Sequence, residues 1–66
     1  MTVAKIAEIS ASSSKSFEDA INAGLERANE TLTDIEGAWV KDMKVSVKNG
    51  KVEDYRVNLK LTFILQ

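Results

Sequence analysis

Residues 38–66 read AWVKDMKVSVKNGKVEDYRVNLKLTFILQ. From Lys51 onward the alternation is regular: Tyr55, Val57, Leu59, Leu61, Phe63 and Leu65 fall on one side, and Asp54, Arg56, Asn58, Lys60 and Thr62 on the other. A period of two is the pattern of a strand with one face on a core, so a long strand is predicted from Lys51 to Gln66. Ala38 to Lys48 repeats the pattern, with Trp39, Met43, Val45 and Val47 on one face and Asp42, Lys44, Ser46 and Lys48 on the other. Asn49-Gly50 lies between the two segments and is a strong hairpin signal, because both residues tolerate the positive φ of a type I′ turn. Register is less simple. A two-residue loop pairs Lys48 with Lys51 and sets Val45 against Asp54. A three-residue loop with Gly50 in a bulge pairs Met43 with Tyr55 and Trp39 with Leu59, and is preferred. A two-residue turn with a bulge soon after it is the alternative.

Upstream of the hairpin the period changes. Phe17, Ala20, Ile21, Gly24, Leu25, Ala28, Leu32 and Ile35 recur at spacings of three and four, which draws an apolar stripe along about five turns of helix. Ser16 is placed to cap that helix, with Glu18 and Asp19 facing its positive end. Gly24 sits within the stripe and costs about 1 kcal/mol relative to Ala in helix propensity, so close approach of the helix backbone to the sheet is expected there. Gly37 suits a left-handed cap or the turn just beyond. Before the helix, Thr2 to Ala11 reads as a strand with Val3, Lys5, Ala7 and Ile9 on one face and Ile6 and Glu8 on the other. The serines of residues 10–14 are expected to end it in a turn. The prediction is an α+β chain of order β-α-β-β, a three-stranded antiparallel sheet wrapped around one long helix, forming a single domain over residues 1–66.

Composition narrows the function. The chain has 66 residues, no Cys and no His. Disulfides, thiolate or imidazole metal sites, Cys and His nucleophiles and the usual neutral-pH acid/base group are thereby removed. A domain of about 60 residues buries only roughly 60% of its unfolded surface, and oligomerisation is the remaining common means of stabilising so small a fold. Nine Lys+Arg against ten Asp+Glu give a formal net charge of −1, too balanced for a protein whose main partner is nucleic acid or an anionic membrane. No signal-peptide pattern or bilayer-length apolar run is visible, so a soluble cytoplasmic protein is expected. The Ser-rich stretch lacks a glycine-rich phosphate cradle and a nearby base, and no catalytic residue is assigned.

The strand Lys5-Ile6-Ala7-Glu8-Ile9, the turn with Ser16-Phe17, the helix residues Ala20, Arg27-Ala28 and Thr31-Leu32, and then Gly50-Lys51, Tyr55, Val57, Leu59-Lys60 and Phe63 together resemble the dodecin family from end to end. The resemblance implies twelve copies in a hollow shell that binds flavins such as riboflavin or FMN at subunit interfaces, as a storage or sequestering protein and not an enzyme. Two positions depart from the family pattern. Gly37 stands where typical members place the Trp that stacks on the flavin ring, and Arg56 stands where they place a Gln that pairs with the ring edge. A guanidinium donates but does not accept, so the two-way pairing of the Gln is lost. This combination resembles the branch of the family without the Trp and Gln, some of whose members carry calcium.

Candidate ligand-binding residues are therefore Gly37, Trp39 and Arg56. Trp39 reads first as core or interface packing opposite Leu59, and second as a shifted stacking residue. Arg56 reads first as a cross-strand partner of a carboxylate such as Asp42, and second as an anion clamp. Calcium would need about six to eight converging oxygens. Glu18, Asp19, Asp34, Glu36, Glu53 and Asp54 could supply some across a symmetry axis, although each pair alone reads as solvated surface. A small interaction protein that uses its edge strands is the alternative function.

Overall fold

The computed structural model describes residues 3–65. Its elements are β1 (Val3–Ser13), α1 (Phe17–Ala28), β2 (Ile35–Lys48) and β3 (Lys51–Leu65). The three strands form one antiparallel sheet in the order β1-β3-β2, as the alternation predicts. β3 is central because it is the longest strand and carries the cleanest apolar face. Val57, Leu59 and Leu61 on that face are fully buried, under Ala20 and Ala28 of the helix.

α1 begins where the sequence places it. Ser16 is the N-cap, its Oγ accepting from the Asp19 backbone N–H at 3.0 Å. Ser13 Oγ donates to Asp19 Oδ2 at 2.6 Å and accepts from the Lys15 N–H at 2.9 Å, which ties the end of β1 to the first helical turn. The serine run does not stop the strand at Ala11: β1 continues to Ser13, whose hydroxyl is satisfied by these bonds.

The helix is shorter than its stripe. It ends at Ala28 with Asn29 as C-cap, and the chain turns through bonds from the Thr31 and Leu32 N–H groups to the Ala28 carbonyl. The expected five turns are thus about three. The residues after Ala28 explain the early stop: Asn29, Thr31, Thr33 and Asp34 are poor helix formers, and Asp34 takes a φ of 58°. Leu32 and Ile35 still pack on the buried cluster, but from a turn and from β2. Gly37 accordingly caps nothing; it lies inside β2 opposite Thr62.

The hairpin uses the alternative register. Asn49 and Gly50 have φ of 54° and 75°, as a type I′ turn requires, and Lys48 pairs with Lys51. The conflict of apolar faces is resolved by a bulge: Val47 pairs with Val52 and Ser46 with Asp54, which leaves Glu53 as the extra residue. A second irregularity falls between Val40 and Asp42, with Lys41 extra, so Val40 pairs with Leu59 and Trp39 with Lys60. The expected Met43–Tyr55 and Trp39–Leu59 pairs are replaced by Met43–Val57 and Val45–Tyr55.

Gly24 does what its place in the stripe predicts. A Cβ there would lie 2.9 Å from the Ala11 Cβ and 3.3 Å from Ile9 Cδ1, so its absence lets α1 lie directly on β1. The helix packs over β1 and β3, leaving Met43, Val45 and Val47 of β2 exposed on the side of the sheet it occupies. The shape is long and flat, 51 × 20 × 13 Å. Its radius of gyration of 13.6 Å compares with about 11 Å for a compact domain of this length.

Candidate functional site

The site residues are positioned by the face of the sheet that the helix leaves bare. Partners in adjacent strands point the same way, so the register assigns that face row by row. Ile6, Thr62 and Gly37 make one row, and Glu8, Lys60 and Trp39 the next. Ser10, Asn58 and Asp42 follow, and then Ser12, Arg56 and Lys44. Gly37, Trp39 and Arg56 therefore all share this face. Gly37 and Trp39 occupy neighbouring rows. Arg56 is four residues from Lys60 along β3, roughly 13 Å at strand rise, so one chain does not bring it to Trp39.

Trp39 is not part of the subunit core. It is 69% exposed, and Lys60 Nζ lies 5.5 Å from the centre of its ring. The reason is the bulge at Lys41. In an unbroken strand Trp39 would share a face with Met43, and one extra residue between them turns Trp39 to the opposite side. Lys41 itself reaches across β3 to β1, where its Nζ meets Glu8 Oε1 at 3.2 Å. Asn58 Nδ2 donates to Asp42 Oδ1 at 2.6 Å. A shallow groove of about 320 Å³ opens on this face, with Glu8, Ser10, Lys41 and Asn58 on its border.

Arg56 pairs with Asp54 at 3.8 Å, two residues along its own strand, and not with Asp42, which accepts from Asn58. Directly across from Arg56 stands Lys44. Two cations at one register position repel each other, and Asp54 offsets part of that. Gly37 leaves the row beside Trp39 low, and its carbonyl accepts from Thr62 Oγ1 at 3.3 Å.

The carboxylates proposed for calcium are scattered. Glu18 and Asp19 lie in the first turn of α1, with Asp19 already bound to Ser13. Asp34 precedes β2, its carbonyl accepting from the Ile64 N–H at 3.3 Å. Glu36 is the extra residue near the start of β2, Glu53 is the bulge near the hairpin, and Asp54 holds Arg56. Among the described residues no group of three or more acidic side chains converges within one chain. A larger groove of about 470 Å³ lies between β1 and α1, rimmed by Arg27 and Thr31; none of the candidate ligand-binding residues lines it.

The sequence reading missed the partners of Trp39. Period two set Lys41 on the apolar side of β2 between Trp39 and Met43, and set Glu8 beside Ile6; only the register places Glu8 and Lys60 in the row of Trp39, with Lys41 bonded to Glu8. The alternation of β3 did place Lys60 on the face opposite Leu59, which is the part of the signal that was present.

Comparison with known proteins agrees with this architecture. The dodecin family matches residues 3–66, and the chain belongs to that family. Among solved structures, a variant of the Thermus thermophilus dodecin superposes with a TM-score of 0.94 at 32% identity, covering 100% of this chain and 98% of the other. The Streptomyces coelicolor dodecin gives 0.93 at 25% identity, covering 98% and 93%. A calcium dodecin from Mycobacterium tuberculosis, described as a calcium-chelating immunodominant antigen, gives 0.83 at 31% identity, covering 97% and 91%. No curated protein matches the sequence. No helix among the described residues is long and apolar enough to cross a membrane.

Proposed function

We propose that the chain is one domain that assembles with copies of itself, twelve in a hollow shell, and binds or sequesters small ligands at the interfaces between copies, without catalysis. The observation that carries this reading is the apolar surface the subunit leaves open. Its accessible area is 4998 Å², against about 4,200 Å² for a folded monomer of 7.3 kDa. Val47, Val52, Met43 and Ile6 are among the large apolar side chains that stand exposed, at a cost in water, on the two sides of this thin sheet. Burial between copies removes that cost at roughly 25 cal/mol per Å², and membership of the dodecin family supports the number of copies we propose.

A flat ligand such as a flavin would be held on the helix-free face, where Trp39 is the one large aromatic platform and Gly37 leaves room beside it. Arg56 would come from a neighbouring copy, since its own row is too far away. Mass in solution by light scattering or native mass spectrometry, with a visible spectrum on the same sample, tests the reading. A particle near twelve subunits is expected, and a monomer or dimer would refute the shell.

A second reading is favoured by the similarity to the calcium dodecin: the shell holds calcium through carboxylates from several copies, with Glu18, Glu36 and Glu53 the candidates that no described ion pair engages. Linkage then raises the melting temperature with calcium and lowers it with chelator. A melting temperature indifferent to both would exclude it.

A further inference from the structure

Lys60 stands at the centre of an unusual charge arrangement. Its register partner on β1 is Glu8, the counter-ion that position would supply, but Glu8 is engaged by Lys41 reaching over from the β2 bulge. Lys60 points the other way, and its partner is the indole of Trp39. Glu8, Lys41 and Lys60 together carry a net charge of +1, set beside an aromatic ring that is mostly exposed. Among the described residues no carboxylate forms an ion pair with Lys60.

We propose that Trp39 and Lys60 form a site for a planar aromatic ligand that carries a negative charge. The ring of the ligand stacks on the indole, and its anionic substituent meets the Lys60 ammonium, which no carboxylate neutralises. Gly37 and Thr62 form a low row on one side of Trp39, and Asp42 and Asn58 form the row on the other. A neutral ring gains only the stacking, and a cationic one meets repulsion from Lys60. The inference rests on the ligand-binding reading above and adds to it the charge of the ligand.

Trp39 is the single tryptophan of the chain, so its emission reports on this site. The assembled full-length protein is titrated with 2-naphthoate and with its neutral analogue 2-naphthamide, by calorimetry and by Trp39 emission. The naphthoate is expected to bind about five-fold more tightly at low salt, the scale of one exposed ion pair. Lys60→Gln brings the two probes to about equal affinity, Lys60→Arg keeps the preference, and added salt narrows it by screening. Equal affinity in the unmodified protein, or a preference that survives Lys60→Gln, overturns the charge selection and leaves the ligand-binding reading standing. Binding of neither probe overturns both.

Discussion

Replacing Gly24 by Ala puts two effects of opposite sign in competition. Helix propensity alone favours Ala by about 1 kcal/mol, so in an open helix the variant would be more stable. The packing says otherwise. The new Cβ would sit 2.9 Å from the Ala11 Cβ, with Ile9 Cδ1 at 3.3 Å and Leu59 Cδ1 at 3.7 Å. The closest of these atoms is fixed to the backbone of β1 and cannot rotate away, so α1 must lift from the sheet by several tenths of an ångström. Overpacking of this kind costs about 1–3 kcal/mol, and the net expectation is destabilisation of up to about 2 kcal/mol. For a chain of this length that lowers the melting temperature by about 4–8 °C per kcal/mol.

The measurement is urea or thermal unfolding followed by far-UV circular dichroism at one fixed subunit concentration, because association contributes to apparent stability. Ala11→Gly combined with Gly24→Ala supplies the control. Ala11→Gly alone costs roughly 0.5–1 kcal/mol as a glycine in a strand, but it removes the atom that the new Cβ meets, so the pair should couple favourably by at least about 0.5 kcal/mol. A Gly24→Ala variant more stable by the full propensity difference, with no coupling to Ala11, would refute the close contact between α1 and β1.

Other substitutions probe separate parts of the fold. Gly50→Ala places a Cβ in open space but in the left-handed region at φ 75°, so it should cost about 1–2 kcal/mol from backbone strain alone, read as a lower melting temperature with the same fold by circular dichroism. Ser16→Ala removes the bond to the Asp19 N–H and should cost about 1 kcal/mol in the same assay; no change would mean that another group caps α1. Leu59→Ala, at a side chain 1% exposed beneath the helix, should cost about 2–5 kcal/mol, enough to leave so small a subunit largely unfolded by circular dichroism.

Much of the architecture was legible in the sequence because it rests on short-range rules. The alternation of β3 follows from the two-residue period of a strand. The Ser16 cap, the acidic first turn and the Asn49-Gly50 turn each follow from the local needs of backbone N–H groups or positive φ. The close approach at Gly24 could be read from a small residue placed inside an apolar stripe. Leu32 and Ile35, read as the end of the helix stripe, still pack half-buried against the core, since an apolar residue seeks the interior whether the chain is helical or not.

What the sequence left open depended on contacts between distant segments. The stripe could not show that α1 stops at Ala28, because Leu32 and Ile35 reach the same cluster from a turn and a strand. Nor did the alternation of β2 reveal the extra residue at Lys41, since a bulge is settled by which strand must match which neighbour. That one residue decides the fate of Trp39: without it the indole faces the side where the helix packs, and with it the ring stands on the bare face beside Lys60. The residue types of the candidate site were therefore written in the sequence. Their meeting was decided by strand register, because a shift of one position carries a side chain from one face of a sheet to the other.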